Sequence, residues 1–351
     1  MKNSFGNAIN ISLFGESHGA GVGVLIDGIA PSIKIDEDFI AHQLTLRRPS
    51  GKISTARREP DEYVIQSGVY NGYTTGAPLC IFIPNTDTRS RDYTPELPRP
   101  SHADLTAHEK YHGFEDYRGG GHFSGRLTAA LVAAGAIVIP ALREKGIYIG
   151  TCINRIGRIG LSDIPTDRDG LLAIADSDYG LTDDHAITIM KDTIELAASE
   201  GDSVGGVLET AIIGLPAGLG EPWFDGVESQ IASAVFGIPA VKGIEFGRGF
   251  ESAELNGSEN NDDFIYSGEK ITTETNNCGG ILGGISNGCD IVFRVAFKPT
   301  PSIAKTQKTV DLRTNEPAEI NVPGRHDPCV VLRAVPCVEA ACAVALYDML
   351  L

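Results

Sequence analysis

Apolar and polar residues alternate with a period of two in INISLFG (9–15) and again in the β-branched stretch GVGVLIDG (21–28). This pattern predicts two strands joined by a glycine turn. A helix is expected next, with Ile40, Leu44 and Leu46 on one side, ending near Arg47-Arg48-Pro49 because proline disfavours helix in the residue before it. The segment 49–101 is dense in turn residues and holds two short strand patterns, EYVIQSGVY and APLCIFIP. RLTAALVAAGAIVIPAL is apolar on nearly every side and predicts a helix buried against other layers, with Ser124 as a candidate N-cap. Ile187, Met190, Ile194 and Ala197 mark an amphipathic helix, and Gly201 stands just past its end. Strand-like VLETAIIGLP, helix-like VESQIASAVFG, strand-like AVKGIEFG and the alternating strand DIVFRVAF follow, and CVVLRAVPCVEAACAVALYDML predicts a buried helix kinked near Pro336. Strands and helices come in mixed order, without βαβ alternation. That favours an α+β fold of layers in one unit over 1–351, rather than a doubly wound parallel sheet.

With 42% hydrophobic and 21% charged residues, the chain has the composition of a globular protein with a sizeable core. No apolar run approaches the roughly 18 residues of a membrane span, and MKNSFGNAIN lacks the apolar stretch of a signal peptide. Seven scattered cysteines with no C-x-x-C pair suggest a reducing compartment, so a cytoplasmic location is expected. The net charge of −17 argues against a nucleic-acid partner. The charge is uneven, however: 43–126 holds 11 basic and 10 acidic residues, which leaves 18 basic and 36 acidic elsewhere. Arginines concentrated in one region of an acidic protein can focus positive potential on a small anion, although surface ion pairing explains the pattern equally well.

The turn GESHGAGVGVLIDG does not match a dinucleotide fingerprint, since Val24 or Ile26 occupies the last glycine position and no helix follows. Its glycines instead keep bulk away from His18. His108-Glu109-x-x-His112 is a formal zinc-protease match, but Gly113 follows at once and the segment lacks apolar backing, so an exposed helix without metal is expected. The remaining candidates are spread along the chain. His18, His102 and the pair His326-Asp327 lie in turn-forming sequence, suited to proton transfer near neutral pH. Arg47, Arg48, Arg99, Arg126 and Arg325 are candidate clamps for phosphate and carboxylate. The glycine runs 119–121 and 279–284 and the stretch Lys298–Ser302 complete a set that suits an enzyme acting on a polyanion. The alternatives are a zinc hydrolase on His108 and His112 and a non-catalytic polyanion-binding protein.

At these same residues the chain resembles the chorismate synthase family. GESHGAGVGVLIDG, the tract from RRPSGKISTARREPDEY to RPSHAD, RGGGHFSGRLTA and GRHDPCVVLRAVPCVEAACA resemble that family's motifs in order, across almost the whole chain. The resemblance implies a cytoplasmic homotetramer whose subunit sandwiches helices between antiparallel sheets. It implies conversion of 5-enolpyruvylshikimate 3-phosphate to chorismate and phosphate, an anti-1,4 elimination that needs reduced FMN without net redox. NADPH or a separate flavin reductase would supply the reduced flavin. By resemblance, His18 protonates the departing phosphate, His102 governs protonation of the flavin, and Asp327 acts as a base beside it. FMN would meet His122, Phe123, Ser124, Ala240, Gly283, Lys298, Pro299, Thr300, Pro301, Ser302 and Arg325, while Arg47, Arg48, Lys52, Arg99 and Arg126 would hold the substrate. Three positions depart from the family pattern. His122-Phe123 stands where Arg-Ser is common, Pro239 stands where Asn is common, and the loop at Lys52 is one residue short.

Overall fold

The computed structural model describes residues 3–49, 53–55, 57, 59–88, 93–322 and 327–351. Strands Asn10–Gly15 and Gly21–Asp27 form the expected antiparallel hairpin, in register from Asn10 opposite Asp27 to Gly15 opposite Val22. The hairpin is the centre of a five-stranded sheet in the order Ser4–Phe5, Asn10–Gly15, Gly21–Asp27, Leu79–Pro84, Val64–Ser67. Val22, Val24 and Ile26, with Leu79, Ile81 and Ile83 beside them, point into the core, as the alternation requires. A second five-stranded sheet runs Val241–Phe246, Ile291–Phe297, Gly206–Ile213, Tyr148–Ile156, Ile159–Gly160, again with every pairing antiparallel.

Between the sheets lie helices Thr128–Glu144 and Val331–Met349, flanked by Glu37–Arg47 and Val227–Val235. The two central helices are apolar all round because each is covered on every side. Where they cross, Gly135 meets Ala340 so closely that a Cβ on Gly135 would stand 2.4 Å from the Ala340 Cα; only glycine allows that approach. Val331–Met349 runs on through Pro336 as one helix. The Gly125–Glu144 stretch is long and apolar enough, by length and composition, to cross a membrane, contrary to the expectation above, but 89% of its apolar 18-residue segment is buried inside the fold.

Helix Arg168–Ala175 covers the outer face of the second sheet, where Leu171 and Ile174 pack on Cys152 and Ala211. Asp348, near the end of the last helix, accepts hydrogen bonds from the N–H groups of Asn7 (2.9 Å), Ala8 (2.7 Å) and Ile9 (2.9 Å). That carboxylate ties the start of the first sheet to the central helices and so fixes the strand that delivers His18. The architecture is the α+β sandwich expected, with further helices such as Arg168–Ala175 outside it.

Candidate functional site

Strand Asn10–Gly15 ends in Glu16-Ser17-His18. The buried Ser17 N–H donates to the Gly121 carbonyl (3.0 Å), while its hydroxyl and carbonyl accept from Arg57 Nη1 (2.8 Å) and Nη2 (3.0 Å). Arg57 is braced by Glu59, which accepts from its Nε (3.2 Å) and Nη2 (2.8 Å). Asn85 donates to the carbonyls of Glu16 (2.9 Å) and Gly19 (3.0 Å) and closes the turn from the other side. Opposite lie Gly119, Gly120 and Gly121, all left-handed at φ +62°, +79° and +53°. A Cβ on Gly119 would stand 2.6 Å from the His18 ring, and one on Gly120 would stand 3.3 Å from His102 Cε1. The two imidazoles are thus stationed on consecutive residues of one glycine turn. His18 also meets Tyr93 edge-on, with ring centroids 5.5 Å apart.

His102 is held within its own RPSHAD turn. Arg99 grips Asp104 with two parallel bonds of 2.8 Å, and His102 Nδ1 lies 3.3 Å from Arg99 Nη2 and 3.4 Å from Asp104 Oδ1. Burial by itself would raise the Asp104 carboxyl. The hydrogen bonds from Arg99 and His102 outweigh it and hold the carboxyl well below the usual carboxylate range. His122 Nδ1 lies 2.9 Å from the Gly15 carbonyl. A carbonyl only accepts, so Nδ1 carries the proton and Nε2 is the nitrogen left for a ligand.

Arg47 and Arg126, expected to clamp substrate anions, share one carboxylate. Asp61 accepts from Arg47 Nη1 (2.9 Å) on one oxygen and from Arg126 Nη1 on the other, and its side chain is 0% exposed. Arg47 Nε also donates to Thr128 Oγ1 (3.0 Å), and Arg126 Nε donates to Asn85 Oδ1 (2.9 Å). Burial pulls Arg47 down to about 10 against the attraction of Asp61, with Arg333 and Arg126 adding repulsion, so it stays charged at neutral pH. Two guanidiniums on one carboxylate leave a buried net charge of +1. Arg48 caps the end of its helix, donates to the Pro60 carbonyl (2.9 Å) and stands apart.

A cavity of about 790 Å³ opens beside this framework. Its wall brings together Arg47, His102, Gly119, His122, Phe123 and Ser124 from the first half of the chain with Ala240, Lys298, Thr300, Pro301 and Asp327 from the second. Lys298 donates to the Ser101 carbonyl, next to His102, and Ala240 holds a left-handed φ of +74°. Three buried polar atoms on this wall have no hydrogen-bond partner among the described residues: Thr300 Oγ1, Asp327 Oδ1 and Arg333 Nε. A second cavity of about 410 Å³ shares His122 and Phe123 with the first and has Arg99 and Tyr93 on its wall. Arg126, Pro299 and Ser302 are on the wall of neither cavity, and Gly283 turns an exposed hairpin outside both. Lys52, Arg325 and His326 lie outside the described residues.

The H-E-x-x-H match dissolves in the fold. Helix Asp104–Tyr111 ends before His112, which takes a left-handed cap conformation, while His108 turns to Glu115 (3.3 Å). No group of three metal-binding side chains occurs among the described residues. Sequence reasoning missed Asp61, Arg57, Glu59, Asn85, Asp104 and Arg333. The only local hint was the alternation of charge and turn residues in ARREPDEY.

An α+β sandwich whose cavity gathers imidazoles, a carboxylate and cations around a ligand-sized space defines an enzyme that works on a polyanion. A family model described as chorismate synthase matches residues 9–351. The chorismate synthase of Pyrococcus abyssi is 47% identical over 348 residues, 99% of this chain and 97% of its own length. That of Dehalococcoides mccartyi strain BAV1 is 47% identical over 354 residues, covering 100% and 97%. A solved crystal structure of chorismate synthase superposes with a TM-score of 0.77 at 32% identity, covering 98% of this chain and 92% of that one. The chain belongs to the chorismate synthase family. Its function is that of a shikimate-pathway lyase, which releases phosphate from 5-enolpyruvylshikimate 3-phosphate to give chorismate for aromatic amino acid biosynthesis, and the family requires a reduced flavin.

Proposed function

We propose that this chain runs the lyase reaction with reduced FMN held in the 790 Å³ cavity and the substrate against it, in the cytoplasm, as one unit over 1–351 within a homotetramer. The observation that carries the reading is the wall itself, which Lys298, His122 and Asp327 share from distant parts of the chain and where Thr300 Oγ1 and Asp327 Oδ1 lie buried without hydrogen-bond partners among the described residues. Buried polar atoms are normally satisfied, so orphans facing a cavity of ligand size are suited to a bound group. Lys298 and Thr300 fit an anionic phosphate, and the apolar stretch from Phe123 through Ala240 to Pro301 fits a flat ring system. His122, Phe123, Ser124, Ala240, Lys298, Thr300 and Pro301 would hold the cofactor, with Pro299 and Ser302 shaping the same loop. Arg325 and Gly283 belong to this set by resemblance. When bound, reduced flavin supplies transient electron donation that is recovered within the turnover.

The chain's own residues supply binding and proton handling. Arg99, Arg48 and the net positive group of Arg47, Asp61 and Arg126 attract the substrate's phosphate and carboxylates, with Lys52 joining them by resemblance. His18 donates a proton to the departing phosphate. His102, on the adjacent glycine, sets the protonation of the flavin side, and Asp327 accepts a proton through Oδ1. Trp223, Phe224, Phe250 and Tyr266 are 85%, 86%, 84% and 78% exposed, which supports burial of such side chains between subunits.

The test is anaerobic turnover. With chemically reduced FMN and 5-enolpyruvylshikimate 3-phosphate, phosphate and chorismate should appear together, and oxidised FMN alone should give neither. An inert protein beside a working control enzyme would overturn the proposal. Oxidised FMN with NADPH distinguishes the two sources of reduced flavin: turnover means that this chain reduces its own, and none means that a separate reductase does.

A further inference from the structure

The two oxygens of the Asp327 carboxylate are in different states. Arg333 donates from Nη2 to Oδ2, whereas Oδ1 is buried and meets no hydrogen-bond donor among the described residues. Asp327 is 8% exposed, and both residues lie on the wall of the 790 Å³ cavity. The pairing is local: Asp327 stands just before helix Val331–Met349, and Arg333 is in the first turn of that helix. A carboxylate on a single bond otherwise offers either oxygen. A planar guanidinium fixed on a helix stops that rotation and keeps a permanent positive charge beside one edge. An orphaned carboxylate oxygen is costly to bury, and no donor among the described residues compensates for it. The cost makes sense where that oxygen is used in turnover.

We propose that Arg333 is the positioning residue of Asp327, pinning Oδ2 so that Oδ1 alone receives the proton released at the reacting centre. The proton forms a bond to Oδ1, the electron pair of the broken bond stays behind in the centre, and Asp327 is regenerated by loss of that proton to solvent. This rests on the reading of Asp327 as the base. Arg333 has a second orphan, Nε, so it is also placed to touch a ligand directly, and the experiment separates the two roles.

Anaerobic kinetics and oxidised-FMN titration are measured for Arg333→Met, Arg333→Lys, Asp327→Asn and the double variant Asp327→Asn/Arg333→Met, with thermal melts of each. Letting the carboxylate swing by about 1 Å should lower kcat of Arg333→Met roughly 30- to 100-fold, while KM and FMN affinity stay within about threefold. Arg333→Lys should recover most of the loss, which keeps the test decisive if the methionine variant folds poorly. The double variant should be no slower than Asp327→Asn alone, because residues that act through one another are not additive. Multiplying losses, a raised KM with unchanged kcat, or a wild-type rate in Arg333→Met would each overturn the proposal. Wild-type turnover in Asp327→Asn would instead remove the base reading itself, whatever Arg333 does.

Discussion

Replacing Gly119 with alanine perturbs the site where the glycine turn meets His18. The new Cβ would lie 2.6 Å from the His18 ring and 2.8 Å from Ser17 Oγ, where ordinary contact begins at 3.4 Å, so the imidazole must retreat by about 0.8 Å (3.4 − 2.6). Ser17 cannot absorb the strain in its place, being bonded to Gly121 and Arg57. For the proton donor proposed above, a shift of that size costs about 10²-fold in rate, or roughly 2.7 kcal/mol. The left-handed backbone, φ +62°, adds about 1–2 kcal/mol of destabilisation for a residue with a Cβ. Two controls separate these effects. Gly72→Ala carries the strain alone, since φ is +78° and nothing lies within 4 Å, and Gly160→Ala carries neither. Anaerobic phosphate release and denaturant unfolding should therefore show Gly119→Ala slow and destabilised, Gly72→Ala destabilised only, and Gly160→Ala unchanged. Wild-type turnover in Gly119→Ala, or an equal rate loss in Gly72→Ala, would refute the reasoning.

Two further changes test the charges buried in the framework. Burial pushes the Glu339 carboxyl from its ordinary 4.5 up to about 8, although it accepts a hydrogen bond from the Thr151 N–H (2.8 Å). The folded state thus binds this proton more tightly than the unfolded one. Its contribution is complete below pH 4.5 and drains away as pH rises through about 8, amounting to about 3 kcal/mol by pH 7. Glu339→Gln keeps the acceptor for Thr151, so its stability relative to wild type should climb between pH 5 and 7.5; a difference that does not vary with pH contradicts the assignment. Asp61→Asn leaves Arg47 and Arg126 buried without their counter-charge and should cost about 3–5 kcal/mol in urea unfolding, with a loss below about 1 kcal/mol showing that the pair does not depend on it.

The layers were legible where a physical constraint is local. RLTAALVAAGAIVIPAL has no polar face, and a helix of that kind has to be covered on all sides, as it is. The hairpin around His18 followed from alternation interrupted by glycine. The order of strands did not: Leu79–Pro84 inserts between Gly21–Asp27 and Val64–Ser67, and alternation says which face is buried, not which strand is the neighbour. His18, His102 and Asp327 stood out because each lies in turn-forming sequence beside glycine, arginine or proline. Asp61 carries no such mark. In PDEY it looks like any turn aspartate, and it becomes a buried counter-ion only because Arg47 and Arg126 arrive from two other elements. For the same reason the sequence shows these two arginines as candidate clamps and gives no sign of the carboxylate that the fold sets between them. The apolar run at 125–144 shows the reverse error, since its hydropathy reaches that of a membrane span and only its packing identifies it as a core helix.

The central claim is that one cavity, walled by His102, His122, Lys298, Thr300 and Asp327, is where flavin and substrate meet. A crystal structure of the protein grown with FMN and 5-enolpyruvylshikimate 3-phosphate tests it most directly. The flavin should lie inside that cavity, with Thr300 Oγ1 and Asp327 Oδ1 each gaining a hydrogen-bond partner from the bound molecules or from water held between them. Flavin bound elsewhere on the protein, or bound there with both atoms still unpaired, would contradict it.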